Sequence, residues 1–296
     1  MTLHLVDGTF ELFRAHFSPR PGHRAPGGQE VKATVGLVES LIALLHDPAE
    51  AVTHVAVAFD NPIRSFRNRL YAGYKTEEGV EPELLAQLEL AEEAARALGL
   101  TVWPMEEHEA DDALATAAAR FAPAVDQVRI LTPDKDLSQC LRGTRVVQVD
   151  RVRGKVIDQA ALRERRGVEP ESVPDLLALT GDDADGIPGL PGFGEKTAAA
   201  LLAGGRRLEQ IPRNPGEWPA GVRGAARLAS TLAERWEEAL LFRRLATLVT
   251  DVPLPQALGD LRWPGVPRGS LEALCARLGA GRILAAAGRR QGARWA

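Results

Sequence analysis

Short apolar runs alternate with longer amphipathic stretches in the first half of the chain. Five runs have the length and composition of buried strands: 3–6, 52–59, 101–103, 128–131 and 146–149. Three longer stretches have helical periodicity: 31–45, 82–98 and 109–121. Strands that alternate with helices in this way predict an α/β fold, with a mostly parallel central sheet flanked by helices.

Helical patterns dominate after about residue 158. They lie at 172–180, 196–202, 221–234 and 237–247, and clusters of Gly and Pro separate them. This half predicts a helical part that packs against the sheet or continues it. The Gly- and Arg-rich tail after Pro255 gives no clear element.

The composition is that of a globular protein. The 296 residues are 45% hydrophobic, enough for one large domain or two smaller ones. No apolar stretch reaches a membrane-spanning length, and the first ten residues lack the features of a signal peptide, so we expect no membrane partner. Two distant cysteines, Cys140 and Cys275, form neither a disulfide framework nor a zinc site, which favours a reducing cytoplasm.

The net charge of −4 conceals an uneven distribution. Residues 206–296 contain 15 Arg against 8 acidic residues, whereas nine acids fall into the short motifs described below. If those nine hold metal ions, the rest of the chain carries 36 basic and 31 acidic residues. This asymmetry suits a polyanion-binding protein with a metal centre, although Arg-rich solvated faces account for the charges equally well.

Several predicted strands end in aspartate. Asp7, Asp60 and Asp134 follow three of the runs, with Asp136 two residues further on. Ligands in open α/β sheets bind beyond the carboxyl ends of strands, and converging carboxylates need cations between them. Oxygen ligands without nearby His or Cys favour Mg²⁺ or Mn²⁺. A single Asp at such a position is more often a turn or helix cap.

Two further acidic motifs lie on helix boundaries. Glu109, Asp111 and Asp112 open a predicted helix, where acids also complement the helix dipole. Asp182 and Asp185 follow the helix at 172–180, and their spacing lacks the pattern of a calcium loop. Both motifs are candidate sources of additional metal ligands.

A glycine-rich turn covers residues 189–197. It follows no predicted strand, so it fits neither a dinucleotide fingerprint nor a P-loop. A hairpin between helices would instead expose backbone N–H groups to a DNA phosphate, with Lys196 adding a charge. A tight inter-helix turn without a ligand is the alternative.

Taken together, these motifs resemble the bacterial 5′ nuclease family, which includes the 5′-exonuclease domain of DNA polymerase I and the flap endonucleases. The resemblance runs in order from residue 3 to about 253. It is carried by Leu5–Gly8, Ala58–Asp60, Ser65–Arg67, Tyr74–Lys75, Glu109–Asp112, Thr132–Asp136 and Gly181–Thr197. No polymerase region follows, so we expect the stand-alone form.

The resemblance implies two divalent-metal sites, and it assigns roles to individual residues. The implied metal ligands are Asp7, Asp60, Glu109, Asp111, Asp112, Asp134, Asp136, Asp182 and Asp185. Lys75 and Arg67 would reach the scissile phosphate beneath a helical arch, and Tyr74 would stack on a base. A helix–hairpin–helix turn would grip DNA, often with K⁺, through Gly189, Gly192, Gly194, Lys196 and Thr197.

The implied organisation has three parts. Residues 1–165 form the catalytic domain with an arch around 62–98, residues 166–255 form the DNA-binding part, and 256–296 form a tail of unknown role. The implied activity is 5′-3′ exonuclease and 5′-flap endonuclease, serving primer removal and repair. We expect a cytoplasmic monomer that uses two Mg²⁺ or Mn²⁺ ions on branched or 5′-ended DNA, including RNA–DNA primers.

The sequence departs from the family pattern at two places. Thr76-Glu77-Glu78 stands where polymerase-linked members usually continue with a basic residue, and Gly186 stands where many have Asn. Three other functions remain open: a structure-specific DNA-binding protein without catalysis, a phosphotransfer or receiver-type domain that uses Asp and Mg²⁺, and an RNA-directed nuclease. The second does not explain the glycine turn or the basic half.

Overall fold

A six-stranded sheet organises the computed structural model, which describes residues 1–289 and 294–296. The strands are β1 (Thr2–Asp7), β2 (His54–Asp60), β3 (Thr101–Met105), β4 (Gln127–Leu131), β5 (Val146–Asp150) and β6 (Lys155–Ile157). Their order is β3-β2-β1-β4-β5-β6, and only β6 is antiparallel to its neighbour. The α/β prediction with a mostly parallel sheet is therefore confirmed.

Thirteen α-helices complete the described part of the chain. They are α1 (Gly8–His16), α2 (Lys32–Leu45), α3 (Arg67–Leu70), α4 (Pro82–Leu85), α5 (Leu88–Ala97), α6 (Ala110–Phe121), α7 (Gln159–Arg166), α8 (Val173–Thr180), α9 (Glu195–Leu202), α10 (Ala225–Glu234), α11 (Trp236–Ala246), α12 (Arg268–Leu278) and α13 (Gly281–Arg289). None of these helices has the length and apolar character needed to cross a membrane.

Helices cover both faces of the sheet, which is why its strands are apolar without interruption. Successive residues of a strand point to opposite faces. Leu5 faces the layer built around α6, whereas Val6 faces α2, α5, α12 and α13. A third hydrophobic cluster is shared by the helices α7, α8, α9, α10 and α11 in the helical half. This arrangement leaves the carboxyl ends of the parallel strands as the shared edge.

The prediction of one continuous helix over 82–98 is wrong. A turn at Ala86 and Gln87 separates α4 from α5. Gln87 is fully buried, and its side chain accepts hydrogen bonds from Thr34 N at 3.0 Å and Thr34 Oγ1 at 3.2 Å. Leu84 of α4 and much of α5 pack in the main core, so this part of the predicted arch around 62–98 lies in the core beside the sheet.

The tail contains ordered helices that the sequence pattern did not reveal. Trp263 donates from Nε1 to Leu98 O at 2.9 Å, and Leu271, Leu278 and Ile283 are buried in the same core as α2 and α5. Trp263 and the helices α12 and α13 thus complete one face of the sheet. Residues 290–293 of the predicted tail lie outside the described residues.

Candidate metal centre and nucleic-acid interface

Four carboxylates meet at the carboxyl ends of the central strands. We call them the edge carboxylates: Asp7, Asp60, Asp111 and Asp134. Parallel register brings them together, because Val6 pairs with both Val57 and Leu131. Local hydrogen bonds fix two of them: Asp7 caps α1 by accepting from Phe10 N at 2.8 Å, and Asp60 accepts from Ala110 N at 2.8 Å.

The edge carboxylates are close enough to disturb one another's protonation. Burial raises the pKa of Asp7 to about 7, against the opposing amide of Phe10, and the charges of Asp60 and Asp134 add to the increase. Burial and the charges of Asp134 and Asp7 also raise the pKa of Asp111. Like charges held this close favour a bound cation as their partner.

A second group, the loop carboxylates, lies beside the first. It consists of Asp136, Asp182 and Asp185, each of which offers an oxygen within 4.8 Å of the others. The two groups are connected, since Asp136 N donates to Asp134 Oδ1 at 3.0 Å. Both groups contain only oxygen donors, the donor type preferred by Mg²⁺ and Mn²⁺.

Lys75 supplies a positive charge between these acids. Its Nζ lies 2.8 Å from Glu109 Oε2 and 2.9 Å from Asp185 Oδ1, and its backbone N donates to Asp185 O at 3.0 Å. The side chain keeps 24% of its surface exposed. Burial alone would raise the pKa of Glu109, but Lys75 and Arg67 lower it to about 2, so Glu109 is ionised.

Gly186 explains how the Lys75 segment sits so close to the loop carboxylates. A Cβ at this position would lie 2.2 Å from Gly73 O, and the residue has φ of +71°. Any side chain here, including the Asn typical of the family, would force the two segments apart. The departure noted in the sequence is therefore matched by a close backbone approach.

The structure places the side chain of Arg67 inside the protein. Its guanidinium is only 1% exposed, and all five N–H groups are used internally. It binds Asp112 through two hydrogen bonds of 2.8 Å, Glu109 at 3.1 Å, and the carbonyls of Leu245 and Thr247 at 2.7 and 3.1 Å. A side chain engaged in this way holds Glu109 and Asp112 in place, and its contact with the scissile phosphate stays a prediction.

Asp112 is likewise engaged inside the protein. Its carboxylate is fully buried and accepts from Arg67 twice, from Glu109 N at 3.0 Å and from Val249 N at 2.9 Å. With every acceptor position occupied, it is a structural anion. Glu109 also has four donors, from Ser65, Arg67, Tyr74 and Lys75, so it reaches a cation only if Lys75 moves.

Tyr74 does not present its ring to a base. It is 3% exposed, packs in the helical core, and donates its hydroxyl to Glu109 Oε2 at 3.2 Å. Sequence reasoning also gave no role to Ser65 or Thr132. Ser65 Oγ donates to Glu109 at 2.6 Å, and Thr132 Oγ1 donates to Asp7 at 3.0 Å. Both residues lie within the motifs that carry the family resemblance, and this position was the signal that could have revealed their role.

The glycine turn divides into a packed and an open side. Gly189 is buried, and a Cβ there would lie 2.4 Å from Gly181 N, so this glycine serves the packing of α8 against the turn. Gly192, Gly194 and Lys196 are exposed, and Thr197 is half-buried. Gly194 precedes α9, whose first amides are free of intrahelical partners.

The raised pKa values predict how the metal-free protein responds to pH. Acids whose pKa is raised by folding stabilise the protein below their unfolded pKa, and this contribution is lost as pH rises through the folded value. In EDTA we expect Tm to fall between about pH 4 and pH 8, since the pKa of Asp7 is about 7. Mg²⁺ should reverse the fall. A Tm equally independent of pH with and without Mg²⁺ would contradict the proximity of these carboxylates.

Comparisons with known proteins give a consistent result. Residues 2–167 match the family described as "5′-3′ exonuclease, N-terminal resolvase-like domain", and residues 168–268 match "5′-3′ exonuclease, C-terminal SAM fold". DNA polymerase I of Pseudomonas aeruginosa is 39% identical over 89% of the chain, and that of Thermus aquaticus 35% over 95%. The chain spans 29% and 32% of their lengths.

Solved structures share the fold. The zinc-bound T5 5′-exonuclease superimposes with a TM-score of 0.64 at 19% identity, covering 97% of this chain and 96% of the other. The catalytic core of Rad2 gives a TM-score of 0.58 at 16% identity, covering 95% and 91%. These similarities support the overall architecture.

Proposed function

The chain belongs to the 5′-3′ exonuclease family, and on that premise we propose that it hydrolyses phosphodiester bonds of DNA with two divalent cations. The observation that carries this proposal is the meeting of seven carboxylates with Lys75 at one edge of the sheet. The edge carboxylates would hold one cation and the loop carboxylates the other. We propose Mg²⁺ or Mn²⁺ for both sites.

The proposed roles follow from the geometry. Divalent cations held by the edge and loop carboxylates would supply the chemistry that activates a water for in-line attack and stabilises the leaving 3′-oxygen. Lys75, partly exposed between the two carboxylate groups, offsets charge on the phosphate. Arg67 and Asp112 hold Glu109, and Glu109 orients Lys75. No protein nucleophile is required.

Anomalous scattering from crystals soaked in Mn²⁺ tests the metal assignment. We expect two peaks about 4 Å apart, one against the edge carboxylates and one against the loop carboxylates. Asp183→Asn serves as the control, since Asp183 is exposed in the same loop and outside the cluster. A single peak, or peaks elsewhere in the described part of the chain, would contradict a two-cation centre.

DNA with a branch or a free 5′ end is the proposed substrate, including RNA–DNA primers. Structures of the T5 flap endonuclease and of Rad2 contain DNA, and their shared fold supports this choice. The exposed part of the glycine turn would bind the duplex backbone as a helix–hairpin–helix, with K⁺ at the turn. We further propose that the protein acts as a monomer in a reducing cytoplasm, in keeping with the unpaired thiols of Cys140 and Cys275.

Lys75→Ala is expected to reduce the single-turnover cleavage rate by at least about tenfold, and to weaken DNA binding by a smaller factor. The lysine acts on charge at the reacting phosphate, whereas most binding energy comes from contacts elsewhere. Lys155→Ala, on the exposed strand β6, is the matched control and should leave both quantities unchanged. An unchanged single-turnover rate in Lys75→Ala would remove Lys75 from the mechanism.

A further inference from the structure

A basic cavity lies directly beside the loop carboxylates. Its volume is about 470 Å³, and its polar lining includes Lys135, Arg165, Arg166 and Glu195. The Nζ of Lys135 is 2.9 Å from Asp182 Oδ2, which places this wall of the cavity against the candidate metal centre. The opposite wall is the C-terminal turn of α7, which carries the two arginines.

The arginines of this cavity have unused hydrogen-bonding capacity. Arg165 is exposed and forms no ion pair within the described residues. Arg166 is largely buried and pairs through Nε with Glu195 at 2.9 Å, yet its Nη1 is buried without a hydrogen-bond partner there. A buried donor without an acceptor is costly, and oxygen atoms of a ligand in the cavity would satisfy it.

The charge balance favours an anion. Three cationic side chains line the cavity, and Glu195 is its one acidic lining residue. Glu195 pairs with Arg166, and Lys135 pairs with Asp182, so Arg165 is the lining cation that has no ion pair among the described residues. Arg163, one turn earlier on α7, pairs with Glu169 at 2.5 Å and does not line the cavity. The unpaired positive charge therefore lies at Arg165, on the wall that α7 forms.

We propose that this cavity binds a phosphodiester group of the substrate strand, adjacent to the group at the metal centre, through Arg165, Arg166 and Lys135. This inference rests on the proposed function and extends it, because it assigns the direction in which the bound strand leaves the site. The strand would pass from the loop carboxylates over Lys135 toward the end of α7. Arg165 and Arg166 would then contribute to binding rather than to the chemical step.

The test measures binding of a 5′-flap DNA in Mg²⁺ over a range of salt concentrations, in an Asp134→Asn background that prevents cleavage. Arg165→Ala should weaken binding about threefold to tenfold and reduce the slope of log Kd against log salt by about 1, the value for one phosphate contact. Arg163→Ala, the matched control, should change neither quantity.

Three outcomes are decisive. A salt slope that is unchanged in Arg165→Ala and in Arg166→Ala overturns the proposal. The proposal is also overturned if the cavity binds only free phosphate. In that case inorganic phosphate raises Tm and Arg165→Ala abolishes this increase, while DNA binding stays normal. Loss of binding with intact thermal stability supports it. Because binding is read without cleavage, a failed nuclease assay of the wild type would count against the proposed function separately.

Discussion

Asp134→Asn is expected to lower DNA cleavage by about a hundredfold or more while DNA binding is retained. Asp134 is the edge carboxylate that accepts a hydrogen bond from Asp136 N, and its charge acts on Asp7, Asp111 and Asp136. Its neutral amide would weaken cation binding at both groups, and the loss of several kcal/mol of metal-based stabilisation corresponds to this factor. Single-turnover cleavage and equilibrium binding measure the two effects.

Asp183→Asn is the matched control for that variant. It removes one negative charge from an exposed position in the loop between Asp182 and Asp185 without touching the clustered oxygens. It should cleave at the wild-type rate. Full activity in Asp134→Asn would contradict the assignment of Asp134 as a metal ligand. An equal loss in both variants would show that the total negative charge of this surface matters, and not the assigned ligands.

Arg67→Ala should lower the free energy of unfolding by about 3–5 kcal/mol, the cost of leaving a buried charge without its partner. The variant leaves the buried Asp112 without its cationic partner, removes one of the donors to Glu109, and breaks the contacts that connect α3 to the end of α11. Chemical denaturation measures the change. Arg69→Ala, on the same helix, removes an exposed arginine paired with Glu107 and should leave Tm unchanged.

A double variant separates this structural role from a direct one. Arg67→Met with Asp112→Leu removes both buried charges together, and such replacements are often close to neutral in stability. If the double variant is much more stable than Arg67→Ala, the buried ion pair explains the loss. Stability equal to wild type in Arg67→Ala would contradict the pairing described here and return Arg67 to the list of phosphate contacts.

Much of the candidate site could be predicted because it depends on local sequence. Asp7, Asp60 and Asp134 follow apolar runs, and parallel strands necessarily bring such ends to one edge. The glycine turn could be predicted for a similar reason, since its residues are consecutive in the chain. In these cases the local sequence is sufficient to place the residues.

The errors arise where the outcome depends on distant residues. Arg67 is sequestered by carbonyls about 180 positions away, at Leu245 and Thr247. Tyr74 is buried by the helical half of the chain, and the break before α5 follows from a hydrogen bond between Gln87 and Thr34. Spacing alone does not reveal such contacts. Strand β6 was missed because it is short and exposed.

The central claim is metal-dependent cleavage of DNA at this edge of the sheet, and a 5′-labelled branched DNA flap tests it most directly. The wild-type protein is incubated with the flap in Mg²⁺ and in EDTA, and the Asp134→Asn variant is incubated with the flap in Mg²⁺. We expect cutting near the branch only by the wild-type protein in Mg²⁺. Tight binding without cutting, in Mg²⁺ and Mn²⁺ alike, would contradict it and favour a DNA-binding protein without catalysis.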